Sequence, residues 1–192
     1  MNLKNIFINK APSSHDLVLI GGGHSQITVL KKFGMKPVPG LKITLINKNS
    51  TSSYSGMIPG YIAGTYCRDD TQINLLNLCK FANARLITDD VTGIDILARE
   101  IYLKNRSPVY YDTLSINSGG EPDINEIKGA KKYCIPIKPI SNLIQVFDEI
   151  KNKIMGINKV SMTVVGGGAG GVEIALSLKK FLDLENKLEK NI

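Results

Sequence analysis

Two glycine runs in this sequence have the composition and placement of phosphate-binding turns. GGG at 21–23 follows the apolar run 17–20, and GGGAGG at 166–171 follows the predicted strand 160–165. Glycine lets a backbone approach a pyrophosphate without a clash from a Cβ atom, and the N–H groups at the start of a following helix stabilise negative charge. Both runs are therefore predicted to be strand-to-helix turns that bind a dinucleotide.

The two turns differ in how fully they match the GxGxxG pattern. The second turn satisfies it with Gly166, Gly168 and Gly171, and the third glycine of this pattern permits close packing of helix on strand. In the first turn Gln26 stands at the third glycine position, so its helix is expected to lie slightly farther from the strand. A glycine-rich turn without a ligand is the alternative interpretation of the first motif taken alone.

A polar pair ends the second predicted strand, where an acidic residue usually accepts hydrogen bonds from the ribose hydroxyls of an adenosine. Asn47 stands at that position and can still accept one such bond, while the following Lys48 either attracts a phosphate or lies in solvent. One cofactor does not explain two separate turns, because a single Rossmann domain needs only one of them. A flavin as electron carrier and NAD(P)H as hydride donor account for both.

Hydrophobic periodicity predicts the elements that position these turns. Strands are predicted at 17–20, 41–46, 85–97, 100–103, 111–116 and 160–165, and helices after each glycine turn, the second as far as 178, and at about 71–82 and 140–155. Gly34 is expected to close the first helix, and Ser141 and Gly156 to begin and end the 140–155 helix. Residues 50–66, rich in Ser, Gly, Pro and Tyr, are expected to form a structured loop rather than core.

This order of elements predicts the α/β class, as a Rossmann-like FAD/NAD(P)-binding fold with a parallel sheet, flanking helices and an antiparallel β insertion. We expect a tail at 1–16, an FAD-binding domain at 17–157 and the start of an NAD(P)H-binding domain at 158–192. A single strand and helix cannot bury their own apolar faces. The second domain is therefore expected to be incomplete, and the chain to be truncated relative to a longer protein.

Composition excludes several classes of function. The excess of 24 Lys and Arg over 17 Asp and Glu is spread along the chain without an aromatic RNA-binding signature, so nucleic acid is not an expected partner. The sequence contains no apolar run of membrane-spanning length and no secretory signal, and a cytoplasmic location is expected. Cys67, Cys79 and Cys134 form no close pair, which argues against disulfide redox chemistry and favours small buried side chains. No metal site is expected.

In its motifs the sequence resembles the pyridine nucleotide-disulfide oxidoreductase superfamily, and in detail type II NADH dehydrogenase-like flavoproteins. The resemblance covers about residues 17–178 and rests on GGGHSQ at 21–26, YSGMIPG at 54–60, YDTLSINSGG at 111–120, KPIS at 138–141 and VVGGGAGGVEIA at 164–175. Three of these stretches are also similar to the flavoprotein domain that is fused to selenide, water dikinase in some bacteria. The family resemblance implies FAD at the first turn and NAD(P)H at the second.

The resemblance also implies roles for individual residues, each of which has a structural alternative. For FAD these residues are Gly21, Gly22, Gly23, His24 and Ser25 at the pyrophosphate, Asn47 and Lys48 near the ribose, Ser55, Met57 and Pro59 near the isoalloxazine, Val91 at the adenine, and Ser118 and Gly119 in a turn beside the cofactor. For NAD(P)H they are Gly166, Gly168, Ala169, Gly171 and Glu173. The alternatives are an exposed first-turn residue for His24, core packing for Met57, an ordinary strand position for Val91 and a helix-surface carboxylate for Glu173.

The leading hypothesis is an FAD-dependent NAD(P)H oxidoreductase that passes a hydride to FAD and then electrons to an unknown acceptor, such as a quinone. No catalytic protein residue is required. A missing C-terminal half or a fused kinase-like domain is expected to complete it. Peripheral membrane contact is not encoded in this segment and would come from a C-terminal completion. The alternatives are a non-catalytic nucleotide-binding remnant, a half-protein that needs a partner, or a single-cofactor NAD dehydrogenase, for which no Tyr-Lys or His constellation is found.

Overall fold

The computed structural model describes residues 14–154, 157 and 159–189, which form nine strands and six α-helices. In chain order the elements are β1 (His15–Ile20), α1 (His24–Met35), β2 (Leu41–Asn47), β3 (Thr51–Ser53), α2 (Ile58–Ile62), β4 (Gln72–Asn74), α3 (Leu75–Phe81), β5 (Arg85–Thr88), β6 (Val91–Asp95), β7 (Glu100–Leu103), β8 (Val109–Tyr110), β9 (Thr113–Ile116), α4 (Ala130–Tyr133), α5 (Ile140–Ile154) and α6 (Ala169–Glu189). Two compact units are present: residues 14–52 with 74–118, and residues 53–73 with 119–189.

The first unit is built on a four-stranded parallel sheet with the strand order β5-β2-β1-β9. Its two central strands are apolar on both faces, and Val18, Leu19, Leu45 and Ile46 are almost completely buried. Strands of this kind are typical of parallel sheets whose faces are both covered. The predicted α/β class, with a βαβ unit at the first glycine turn, is confirmed.

A second sheet in the first unit is the antiparallel insertion predicted from the sequence. Strands β6, β7 and β8 pair in that order. Ile101 and Leu103 of β7 are buried in a cluster with Val18, Ile20 and other residues of the parallel sheet. The inner face of this small sheet therefore belongs to the same core as the parallel sheet.

The second unit has a helical core formed by α2, α5 and α6. Ile58 and Ile62 of α2 pack in one cluster with Phe147 of α5 and Phe181 of α6, whose rings meet edge to face with centroids 5.3 Å apart. The prediction that residues 50–66 form a loop rather than core was wrong for α2. The surrounding serine and glycine residues favoured a loop, but Ile58 and Ile62 are four positions apart, which places both side chains on one helix face.

Several predicted boundaries also need correction. Gly34 lies inside α1, Ser141 lies in the first turn of α5 rather than at its cap, and α6 continues beyond 178 to Glu189. The predicted helix at 71–82 begins only at Leu75, after a short strand whose last residue, Asn74, caps it by accepting a bond from the N–H of Asn77. The expected stop at Gly156 lies outside the described residues.

The predicted strand at 160–165 is not a strand in the described part of the chain, where residues 159–167 have no regular structure. A strand is defined by hydrogen bonds to a neighbouring strand, so a β-prone composition alone does not make one. The predicted division into domains at 17–157 and 158–192 stays a prediction. None of the described helices combines the length and apolar character needed to cross a membrane.

Candidate dinucleotide-binding sites

Gly21 makes the first turn possible by its conformation and by the space around it. Its φ is +88°, and a Cβ atom there would lie 2.1 Å from the carbonyl oxygen of Asn117. Backbone bonds fix both sides of this contact, since the N–H of Gly21 donates to Ile46 at 2.8 Å and the N–H of Asn117 donates to Ile20 at 2.8 Å. The end of β9 is thereby held directly against the turn.

Gly22 is buried and is held by the side chain of Asn47. Its N–H donates to Oδ1 of Asn47 at 2.8 Å, and Nδ2 of Asn47 donates to the carbonyl oxygen of Asn49 at 2.8 Å. A Cβ atom at Gly22 would lie 2.6 Å from Cδ1 of Leu75. Asn47 therefore stabilises the turn, a role that its position in the sequence did not reveal. One acceptor lone pair and one N–H of its carboxamide remain for a ribose.

Gly23 caps the N-terminus of α1 with extended backbone angles, φ −76° and ψ 178°. A Cβ atom there would lie 2.6 Å from Nδ2 of Asn117. The first turn of the helix contains no acidic residue, and His24 and Ser25 are exposed in it. The uncompensated positive end of the helix dipole is thus directed at the turn, as an anion site requires.

Gln26 has surroundings that the sequence did not predict. Its side chain is fully buried, and Nε2 donates to Oγ of Ser115 on β9 at 2.9 Å. Its Oε1 is buried with no hydrogen-bond partner among the described residues. A long polar residue at the third glycine position was a visible signal, but its partner lies 89 positions away along the chain.

The remaining predicted FAD residues in or next to the first unit are Lys48, Val91, Ser118 and Gly119. Lys48 is exposed and lies 3.8 Å from a carboxylate oxygen of Asp90. Val91 is half-buried on β6 and packs against the core of the unit. Ser118 is exposed after β9, and Gly119, the first residue assigned to the second unit, has a φ of +78° with open space around it.

The second turn has the steric character of a complete GxGxxG motif. Gly166 has a φ of +111°, and a Cβ atom at Gly171 would lie 2.2 Å from the carbonyl oxygen of Gly166. Gly168 has no other atom within 4 Å of a Cβ placed on it, and Ala169 begins α6. The motif thus contains one glycine required by packing and one that leaves open space for a ligand.

The remaining predicted residues of the second unit are accessible. Ser55 is exposed and Met57 half-buried in a 3-10 turn, and Pro59 lies in the first turn of α2. Glu173 is exposed on α6, and its carbonyl oxygen accepts a bond from Oγ of Ser177 at 2.7 Å. No described contact gives any of these side chains a catalytic arrangement.

A polar cluster that the sequence did not indicate lies beside the core of the second unit. The hydroxyl of Tyr61 donates to Oδ1 of Asp148, and Arg68 binds Oδ2 of the same carboxylate at 3.1 Å. Burial raises the pKa of Tyr61 to about 12, and the hydrogen bond to Asp148 and its negative charge act in the same direction. The cluster joins α2 to α5.

The three cysteines differ in exposure. Cys79 on α3 is buried, as expected, and burial raises its pKa to about 11. Cys67 and Cys134 are exposed, so the expectation that they are small buried residues was wrong. Both lie in irregular segments, where local sequence carries little information on burial. The described residues contain no cluster of three His, Cys, Asp or Glu side chains that could hold a metal ion.

A family model and two curated relatives match most of this chain. The family described as pyridine nucleotide-disulphide oxidoreductase matches residues 15–187. The NADH dehydrogenase-like protein YutJ of Bacillus subtilis is 27% identical over 172 residues, which cover 87% of this chain and 46% of that protein. The type II NADH:quinone oxidoreductase of Haemophilus influenzae is 24% identical over 200 residues, covering 85% of this chain and 44% of the relative.

A solved structure extends the likeness to the fold. The structure of NDH2 from Plasmodium falciparum in complex with NADH aligns with a TM-score of 0.72 over 92% of this chain and 39% of that one, at 17% identity. At this identity the likeness establishes the Rossmann-like fold and nothing further. The chain spans less than half the length of the curated relatives quoted above.

Proposed function

Because the chain belongs to the pyridine nucleotide-disulphide oxidoreductase family, we propose that it is the nucleotide-binding part of an FAD-dependent NAD(P)H oxidoreductase. The proposal rests on the presence of two glycine turns, which lie in different compact units. Each turn contains a glycine position at which an added Cβ atom would clash with a backbone carbonyl oxygen. Two turns of this kind account for two dinucleotides. The names of the two curated relatives, which both contain NADH, support the choice of donor.

FAD is assigned to the first turn. The three glycines carry no Cβ atom that would keep a pyrophosphate from the backbone of the turn, and at Gly22 and Gly23 this also lets Leu75 and Asn117 pack against it. The N-terminus of α1, with no acidic residue in its first turn, supplies a favourable field. Gly21, Gly22 and Gly23 hold the cofactor through their backbone, with His24 and Ser25 at its edge. Asn47 has one acceptor lone pair and one N–H left for a ribose, fewer than an acid would offer.

NAD(P)H is assigned to the second turn, where the open space around Gly168 and the following N-terminus of α6 suit a second pyrophosphate. Gly166, Ala169 and Gly171 shape this turn. Glu173 is proposed to lie near the nicotinamide, on the resemblance alone.

Bound FAD would supply the redox chemistry, accepting a hydride from the reduced nicotinamide and returning electrons to an acceptor. The residues of this chain bind and orient the two dinucleotides, and none of them acts as a nucleophile. A quinone is the proposed acceptor, since one relative is named as an NADH:quinone oxidoreductase. The same proposal includes a C-terminal half or a fused domain that completes the protein, and contact of the completed protein with a membrane surface.

Anaerobic stopped-flow mixing of the FAD-loaded protein with NADH tests this function by following the loss of the visible flavin band. Gly168→Val is the matched control, because its side chain enters open space and leaves the core intact. We expect wild-type flavin to be reduced, and the variant to keep its FAD while losing reduction at low NADH. Equal reduction of both proteins would remove the second turn from the mechanism.

The second candidate is a nucleotide-binding protein without catalysis. The departures from the motif at Gln26 and Asn47 favour it, because both side chains are used for internal hydrogen bonds. It predicts that FAD binds and that NADH does not reduce it. The same stopped-flow experiment therefore distinguishes the two candidates.

A further inference from the structure

Gln26 departs from the motif in a way that the binding of a nucleotide at the turn does not by itself explain. The side chain is completely buried, yet it carries a polar carboxamide, and only its Nε2 has a described partner. A buried polar atom without a partner is unfavourable by about 1–3 kcal/mol, so an apolar or small residue would suit simple packing better. Packing alone therefore does not account for the bond from Gln26 to Ser115.

The position of Ser115 indicates what that purpose is. Ser115 pairs with Leu19 in the parallel register of β1 and β9, and Asn117 lies two residues farther along the chain. Asn117 is the residue whose backbone approaches Gly21 and whose carboxamide approaches Gly23. A bond from α1 to Ser115 therefore fixes the strand that delivers Asn117 to the turn.

The direction of the carboxamide has a second consequence. Gln26 is the third residue of α1, a position from which a glutamine often reaches back to bond the N–H at the helix start. Here its oxygen has no partner in the part of the chain that the structure describes, and its nitrogen donates instead to Ser115 of β9. Gln26 therefore does not bond the N–H at the start of the helix.

We propose that Gln26 is a positioning residue for FAD, which acts through Ser115 to hold the β9 end, Asn117, in register with the phosphate-binding turn. The inference rests on the proposed function, because it takes FAD as the ligand of this turn. In place of the third glycine, which would bring helix and strand together by close packing, this chain uses a partly buried hydrogen bond from Gln26 to Ser115.

A double-mutant cycle tests the proposal. Ser115→Thr keeps a hydroxyl acceptor and Ser115→Val replaces it with a methyl group of the same shape, so the pair differs only in the bond to Gln26. We expect FAD to bind the Val variant about tenfold more weakly than the Thr variant, as loss of one buried hydrogen bond implies. In a Gln26→Leu background, the two Ser115 variants should bind FAD equally.

A control separates positioning from general loss of stability. Ile101→Val shortens a buried side chain of β7, a strand that contributes no residue to the turn, and should lower the melting temperature while leaving the Kd for FAD unchanged. Equal FAD affinities of the Thr and Val variants with Gln26 present would overturn the inference while leaving FAD binding in place. A wild-type chain that takes up no FAD would reject the proposed function itself, and the inference with it.

Discussion

Replacing Gly21 with alanine is the most exacting test of the first turn, because the structure separates two costs of the substitution. The φ of +88° places alanine in the left-handed region, at a cost of about 1–2 kcal/mol. The new Cβ would also lie 2.1 Å from the carbonyl oxygen of Asn117. Moving that carbonyl would also strain the neighbouring bond from the N–H of Asn117 to the carbonyl oxygen of Ile20, which adds about 1 kcal/mol or more.

The total loss is therefore about 2–4 kcal/mol, which corresponds to a fall in melting temperature of roughly 5–15 °C for a chain of this length. Gly119→Ala is the matched control, since Gly119 has a similar φ of +78° but nothing within 4 Å of an added Cβ. It should show only the conformational cost. Thermal unfolding of the cofactor-free proteins, followed by circular dichroism, measures both. Equal destabilisation by the two substitutions would refute the proposed contact between Gly21 and β9.

Three further predictions concern other parts of the chain. Asn47→Leu should lose about 1–3 kcal/mol in urea unfolding, because the buried N–H of Gly22 loses its acceptor, whereas Asn47→Asp keeps an oxygen there and should lose less. The raised pKa of Tyr61 makes its contribution to stability complete below pH 10 and lost as the pH rises towards 12, so the wild type should lose stability over this range more steeply than Tyr61→Phe. Titration of the native protein with a thiol reagent should label two cysteines rapidly and Cys79 only after unfolding, because it is buried and its thiol pKa is raised to about 11.

The local sequence pattern was sufficient to predict the strands and the helix that flank the first turn. The apolar run at 17–20 predicts β1, because a strand buried on both faces needs uninterrupted apolar residues. The alternation at 41–46 predicts β2. The glycine run between β1 and α1 predicts the turn, since few other sequences suit a positive φ beside a close backbone contact. The antiparallel insertion follows from alternating runs separated by polar turns.

Features that depend on distant partners could not be predicted. The run at 160–165 has strand composition but forms no strand in the described structure, since a ladder requires a neighbour. The carboxamides of Asn47 and Gln26 bond to Gly22 and Ser115, and nothing in local sequence specifies these pairs. The cluster of Tyr61 with Asp148 likewise joins residues 87 positions apart.

Titration of the purified, cofactor-free chain with FAD, followed by flavin fluorescence, tests the central claim most directly. Gly23→Val is the paired variant, because a Cβ atom there would lie 2.6 Å from Nδ2 of Asn117, so either this carboxamide or the backbone of the phosphate-binding turn must move. Saturable binding of one FAD per wild-type chain, lost in a Gly23→Val protein that remains folded, is the predicted result. A wild-type chain that binds no FAD, or a folded variant that binds it equally well, would contradict the assignment of the first turn as the flavin site.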